Sequence, residues 1–171
     1  ETAKRAVDAG REVFVDKLGA APALHKGPGD FATEADLAIE QILREQLTAA
    51  TGIAVYGEEQ GGAFDPAACW VVDPIDGTTN FMHAMPHFAI TVGLERRAPD
   101  GSSEIVAGVT YNPVMNEMFW AEKGKGCYLN DTRIRIAGRA DQPIRRVALC
   151  GGAGDSLFGA VRATDAQVYI T

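Results

Sequence analysis

The sequence predicts an α+β fold in which two amphipathic helices cover a mainly antiparallel sheet and a βαβ element closes the chain. Three observations carry the prediction. Apolar residues recur at helical intervals in two blocks before residue 48, short β-rich runs separated by turn residues fill 53 to 136, and a strand, turn, helix and strand pattern follows residue 145.

Ala6, Val7, Phe14 and Leu18 stand among charges in residues 1 to 18, and Leu37, Ile39, Ile42, Leu43 and Leu47 repeat the spacing in 34 to 48. Each block reads as one helix with an apolar stripe. Between them, LHKGPGDFAT holds Gly27, Pro28 and Gly29, which interrupt a helix and mark a loop or hairpin tip, so the second helix starts near Thr33. The runs IAVYGEE, CWVVDP, FAITVGLE, EIVAGVTYN, EMFWAE, GCYLN and RIRIA follow one another, mostly across short turns such as PDGS, NPVMN and NDT. Short connections favour antiparallel neighbours. At GRADQPIR, 138 to 145, the composition turns polar, which divides a region 1–137 from a linker and βαβ segment at 138–171. Within that segment RVALC, GGAGDS, LFGAVRAT and QVYIT read as strand, glycine-rich turn, helix and strand of a parallel crossover. The turn is neither a P-loop nor a G-x-G-x-x-G, and tight strand-to-helix packing is its better reading.

Length and charge narrow the function. With 171 residues, 46% of them hydrophobic, the chain can build one domain with a real core. Its 16 basic and 23 acidic residues give a formal charge of -7, which argues against a nucleic-acid backbone binder. A small phosphorylated substrate remains compatible, because a divalent metal reverses the field at a carboxylate cluster. Cys69, Cys127 and Cys150 are three widely spaced cysteines with no CxxC pair, and the first residues do not read as a signal peptide, so a reduced, cytoplasmic interior is expected. No apolar run approaches the roughly 18 residues of a membrane span.

The chemistry concentrates in carboxylates at element ends. Asp73 and Asp76 follow the β-branched run of CWVVDP, where Pro74 removes a ladder donor and Gly77 permits an unusual backbone angle. Taken alone, DPIDG is a sharp turn rich in ordinary turn residues. Three features shift the balance. Asp73 sits where a buried strand leaves the core, no Lys or Arg occurs between residues 45 and 95, and Glu58 and Glu59 form a second acidic strand end after Gly57. Asp36 lies at the start of the second helix. Hard oxygen ligands without a local cation are what a Mg²⁺ site uses, and two Asp across a tight turn can reach two metals about 3.5 to 4 Å apart. The Ile75 carbonyl, forced outward by the turn, adds a neutral ligand. Competing readings stand beside these. Thr33-x-x-Asp36 resembles a capping box with Asp in place of Glu; Glu59 reads as exposed or supporting; Thr78 and Thr79 cap the following turn or orient a water. His83 and His87, separated by Pro86, read as structural or surface residues rather than a zinc pair.

FATEAD (31–36), YGEE (56–59) and DPIDGTTNF (73–81), in this order, resemble the inositol monophosphatase family of Mg²⁺-dependent, lithium-sensitive phosphatases, and AGVTYNPVMNEMFWAEKGKGCYLND extends the resemblance to about residue 137. The resemblance implies Glu58, Asp73 and the Ile75 carbonyl on one metal, Asp73 and Asp76 on a second, and Asp36 with Thr78 polarising the nucleophilic water. It also implies that Lys26 belongs to a mobile loop at the metal site, and that the backbone donors of Gly77 and Thr78 meet the phosphate. The reaction so implied is in-line attack of water on phosphorus, with no covalent enzyme intermediate.

The family's later W-D-x-A-A-G motif, which completes the second metal site, does not occur in this sequence. Instead RRVALCGGAGDSLFGAVRATDAQVYIT resembles a βαβ segment of the Nif3-like family, as if two sources were joined near 138 to 145. Two functions are therefore expected in order of preference. The first is a Mg²⁺-dependent phosphomonoesterase, or its metal-binding part, acting on a small sugar or polyol phosphate such as inositol monophosphate. The second is a non-catalytic folding or oligomerisation module with a vestigial metal site, in which an exposed sheet edge favours self-association.

Overall fold

The computed structural model describes residues 1–27, 30–63, 65, 67–97, 100–134, 147–149, 159, 161, 163 and 168–170. The chain forms two compact units, Glu1–Ile134 and Arg135–Thr171.

The first unit opens with helices α1 (Thr2–Ala9) and α2 (Arg11–Asp16), where the sequence led us to expect one helix. The break falls at Gly10, whose Cα packs so close to the core that an added methyl would lie 3.2 Å from both Ile39 and Ile90. A hairpin of β1 (Leu24–Gly27) and β2 (Asp30–Ala32) follows, where a loop or hairpin tip was expected. Helix α3 (Glu34–Thr51) begins at the cap Thr33 and ends at Gly52 in the left-handed conformation. Ala35, Ile39, Leu43 and Leu47 form its buried stripe.

The sheet has seven strands in sequence order: β3 (Ala54–Gly57), β4 (Ala68–Asp76), β5 (Ala89–Arg97), β6 (Ser103–Asn112), β7 (Glu117–Glu122), β8 (Gly126–Leu129) and β9 (Thr132–Arg133). From β4 onward the neighbours are antiparallel, as expected. The exception is β3, which runs parallel to β4. Its short crossover works because the chain after Gly57 curls into a tight turn, closed by Gly57 and Gly61 bonding each other at 2.8 and 3.0 Å.

The helices pack on one face of the sheet. Val7, Phe14, Ile39, Leu43 and Leu47 meet Trp70, Val72, Ile90, Val92 and Tyr111 in a single core. Phe14 lies 4.9 Å from Phe81 and 5.1 Å from Phe88 between ring centroids, in edge-on and tilted geometry. Phe81 belongs to a short helix α4 (Thr78–Met82), so this aromatic contact ties the segment after β4 into the core.

In the second unit, β10 (Val147–Leu149) pairs in parallel with β11 (Val168–Ile170), in keeping with the expected βαβ unit. GGAGDS lies outside the described residues, as does Cys150. Among the described residues no helix is long and apolar enough to cross a membrane.

Candidate metal and phosphate site

The strand ends of β3 and β4 lie side by side because the two strands are parallel neighbours. The Glu58 N–H extends their ladder, donating to the Val72 carbonyl at 3.1 Å. Glu58 therefore leaves the sheet next to Asp73. Pro74 does not stop the strand, as its missing donor suggested; β4 continues to Asp76, and the register slips by one residue between Asp73 and Asp76 against β5. Pro74 is accommodated in this bulge, where a missing N–H breaks no ladder bond. The turn comes at Gly77, with φ 90, and a methyl there would sit 2.8 Å from the His87 carbonyl. Only glycine fits both demands.

The carboxyl groups of Asp73 and Glu58 lie within hydrogen-bonding reach of each other. Burial, the Glu58 charge, that hydrogen-bonding contact and the Asp76 charge together push the Asp73 carboxyl up to about 8, opposed by the Ile75 N–H that donates to it at 3.1 Å.

Asp36 is buried and fulfils its role in the capping box: Thr33 donates to its Oδ2 from the backbone at 2.7 Å and from the hydroxyl at 2.6 Å. Its other oxygen faces the β4 turn. Thr78 Oγ1 lies 3.4 Å from Asp36 Oδ1 and 3.0 Å from the Ile75 carbonyl, so the hydroxyl links the helix to the turn. Burial raises the Asp36 carboxyl above its ordinary range despite the hydrogen bonds it accepts. The two readings of Asp36, cap and site residue, are thus compatible.

The structure brings Asp73 to Glu58 and Asp36 to Thr78, and Ile75 touches both Asp73 and Thr78. Asp76 is exposed beyond the bulge, yet its charge acts on Asp73. Among the described residues no group of three or more His, Cys, Asp or Glu side chains gathers closely enough to hold a metal by itself. The oxygen donors nevertheless fit a hard cation that keeps several waters, because a carboxyl pair in contact needs one positive charge and the Ile75 carbonyl is a neutral oxygen beside it. The Lys26 side chain lies outside the described residues, while His83 and His87 are exposed. A groove lined by Val71, Thr91, Ile105 and Phe119 runs across the sheet to Glu58 and Asp73.

Two residues were not foreseen. Glu40 is fully buried, and Arg44 bonds it at 2.9 Å. Arg44 stands just outside the cation-free interval of the sequence, but its partner is Glu40. The signal available was Glu40 itself, an acid beside Ile39 and Leu43 on the apolar side of the helix.

The chain is similar to known proteins. An inositol-1-monophosphatase of Caulobacter vibrioides is 52% identical over 118 residues, covering 67% of this chain and 44% of its own length. One from Rhizobium meliloti is 47% identical over the same length of alignment, 42% of its own chain. The chain thus spans less than half the length of these curated relatives. The crystal structure of the extragenic suppressor protein suhB from Bartonella henselae matches with a TM-score of 0.73 at 31% identity, covering 99% of this chain and 68% of that one. None of these three is a Nif3-like protein. The family match continues beyond the boundary expected at 137, through the segment read as a seam. Since that match covers residues 1–157 of the 171, the chain belongs to the inositol monophosphatase family.

Proposed function

We propose that this chain provides the metal-binding part of a Mg²⁺-dependent phosphomonoesterase acting on a small polyol phosphate such as inositol monophosphate. The observation that carries the reading is the Asp73–Glu58 carboxyl contact beside the Asp36–Thr78 pair. Glu58, Asp73 and the Ile75 carbonyl would hold one cation, and Asp76 would join Asp73 toward a second. A bound divalent cation supplies Lewis acidity toward the phosphate oxygens and charge stabilisation for the departing alkoxide.

The remaining roles fall to the chain's own atoms. Thr78 donates its single hydroxyl proton to Asp36 or to the Ile75 carbonyl, which leaves its lone pairs to accept from a water and fix that water's orientation. Asp36, raised by burial, is the better proton acceptor for it. Gly77 and Thr78 would offer backbone N–H groups to a phosphate, and Lys26 would add a cation from the β1–β2 hairpin.

A phosphatase assay on inositol monophosphate with and without Mg²⁺, run beside calorimetric Mg²⁺ titration, tests the reading. Mg²⁺ binding and Mg²⁺-dependent turnover that are both abolished by Asp73→Asn in a folded chain are expected. Turnover indifferent to Asp73→Asn and Asp76→Asn would refute the site.

A further inference from the structure

We infer that Glu40 is a positioning residue that fixes Glu58 against Asp73, acting through the turn that carries Glu58. The inference rests on the proposed role of Glu58 as a cation ligand. It goes further in naming what sets that ligand's place.

Glu58 lies at the start of a turn running from Gly57 to Gly61. Hydrogen bonds close the turn at its base, and Glu40 holds its interior from outside the sheet. Glu40 Oε2 accepts from the Glu59 N–H at 2.7 Å and Oε1 from the Gln60 N–H at 3.0 Å. Arg44 completes the arrangement, donating to Glu40 Oε1 at 2.9 Å, to the Gly61 carbonyl at 2.9 Å and to the Val55 carbonyl at 2.7 Å. Val55 precedes the turn and Gly61 ends it. One carboxylate and one guanidinium therefore fix both ends and the middle of the segment, using charge-assisted bonds, the strongest class available.

The glycines are explained by the same device. A methyl at Gly57 would overlap the Glu40 carboxylate, and one at Gly62, with φ 141, would overlap the Val55 carbonyl and come within 3.2 Å of Arg44. Their small size admits the two charged groups. A purely stabilising ion pair would have no need to reach these main-chain atoms. Glu40 is also one helical turn after Asp36, so both project from the same side of α3. One helix thereby aligns the β3 turn through Glu40 and the β4 turn through Asp36 and Thr78.

The test uses Mn²⁺ as the probe, followed by its electron paramagnetic resonance signal as the free ion disappears. Glu40→Gln preserves shape but presents an N–H₂ where one of the backbone N–H groups or Arg44 needs an acceptor. It is expected to weaken Mn²⁺ binding 10-fold or more, in the range typical for residues that orient ligands. Amide exchange should show lost protection at Glu59 and Gln60 with protection retained along β4. Leu47→Ala, far along α3, serves as the comparison: it lowers the melting temperature while Mn²⁺ affinity stays the same. Should Glu40→Gln fail to fold, Gly57→Ala displaces the carboxylate instead and is expected to give the same 10-fold loss. If Glu58→Gln abolishes Mn²⁺ binding but Glu40→Gln and Gly57→Ala leave it intact, the positioning role is overturned and the ligand role stands. Unchanged binding in Glu58→Gln overturns the ligand role, and the inference with it.

Discussion

Removing the negative charge of Asp73 should make the metal-free protein more stable in alkali and insensitive to divalent cations. The Asp73 carboxyl is pushed from 3.8 to about 8 by burial and by its acidic neighbours. A raised carboxyl holds its proton more tightly in the folded than in the unfolded chain. Its contribution is therefore fully present below pH 3.8 and is lost as the pH climbs through about 8. At about 1.4 kcal/mol per tenfold change in proton affinity, the part lost between about pH 5.5 and 9 is roughly 3 kcal/mol at full expression. Asp73 is only half buried, and screening by water brings this to about 1 to 2 kcal/mol. For a unit of this size that corresponds to a fall of about 3 to 6 °C in melting temperature. Burial raises Asp36 as well, and it acts with the same sign.

The assay is thermal unfolding by circular dichroism in EDTA at several pH values, repeated with millimolar Mg²⁺. The wild type should melt progressively lower as the pH rises, and Mg²⁺ should restore it most at the alkaline end, where the cation no longer competes with the proton. Asp73→Asn should flatten the slope and remove the Mg²⁺ response together. A wild-type melting temperature that climbs over this interval, or an Asn variant that keeps both slope and response, refutes the account.

Thr78→Val should leave Mg²⁺ affinity within about twofold but lower kcat by about 10²-fold or more, since it deletes the hydroxyl between Asp36 and the β4 turn; steady-state kinetics beside calorimetry separates the two. Thr33→Ala removes the hydroxyl that caps α3 by accepting from the Ala35 N–H and that donates to Asp36, leaving the backbone donor in place, and chemical denaturation should show a loss of about 1 to 2 kcal/mol. Phe14→Ala empties the aromatic contact with Phe81 and Phe88 and should cost about 3 to 5 kcal/mol by the same measurement.

The parts of this structure that depend on local pattern were legible in the sequence. Thr33 and Asp36 announce the start of α3 because a capping box is a four-residue device, and the β-rich runs announce the meander because alternation and turn residues are local too. What escaped depends on contacts between distant residues. The parallel pairing of β3 needs a compact crossover, which exists because Glu40 and Arg44 hold a turn some twenty residues later in the chain. Pro74 reads as a stop signal, yet a bulge absorbs it within β4. Gly10 divides a helix that its apolar spacing presents as continuous, and the close packing of Ile39 and Ile90 against it comes from other elements. Asp73 and Glu58 could be nominated from spacing, but the raised proton affinity of Asp73 could not, since it arises only when the two strand ends lie side by side.

Helix α3 resolves why so acidic a centre can be held without unfolding. Asp36 and Glu40 are separated by about 6 Å along the helix axis, and each is satisfied by donors outside the candidate cation site: Thr33 for the first, Arg44 and two backbone N–H groups for the second. Glu40 is offset by its charge-assisted partners, whereas burial still raises Asp36 despite the bonds it accepts. The largest unfavourable charge falls on Asp73, beside Glu58 and Asp76, where a proton or cation can relieve it. A fold that satisfied Asp73 with an arginine would be more stable in EDTA and indifferent to Mg²⁺. The placement of Arg44 on Glu40, one helical turn after Asp36, therefore commits the nearby guanidinium to structural support and leaves Asp73, at the end of the groove, with no cationic side chain among the described groups that shift it.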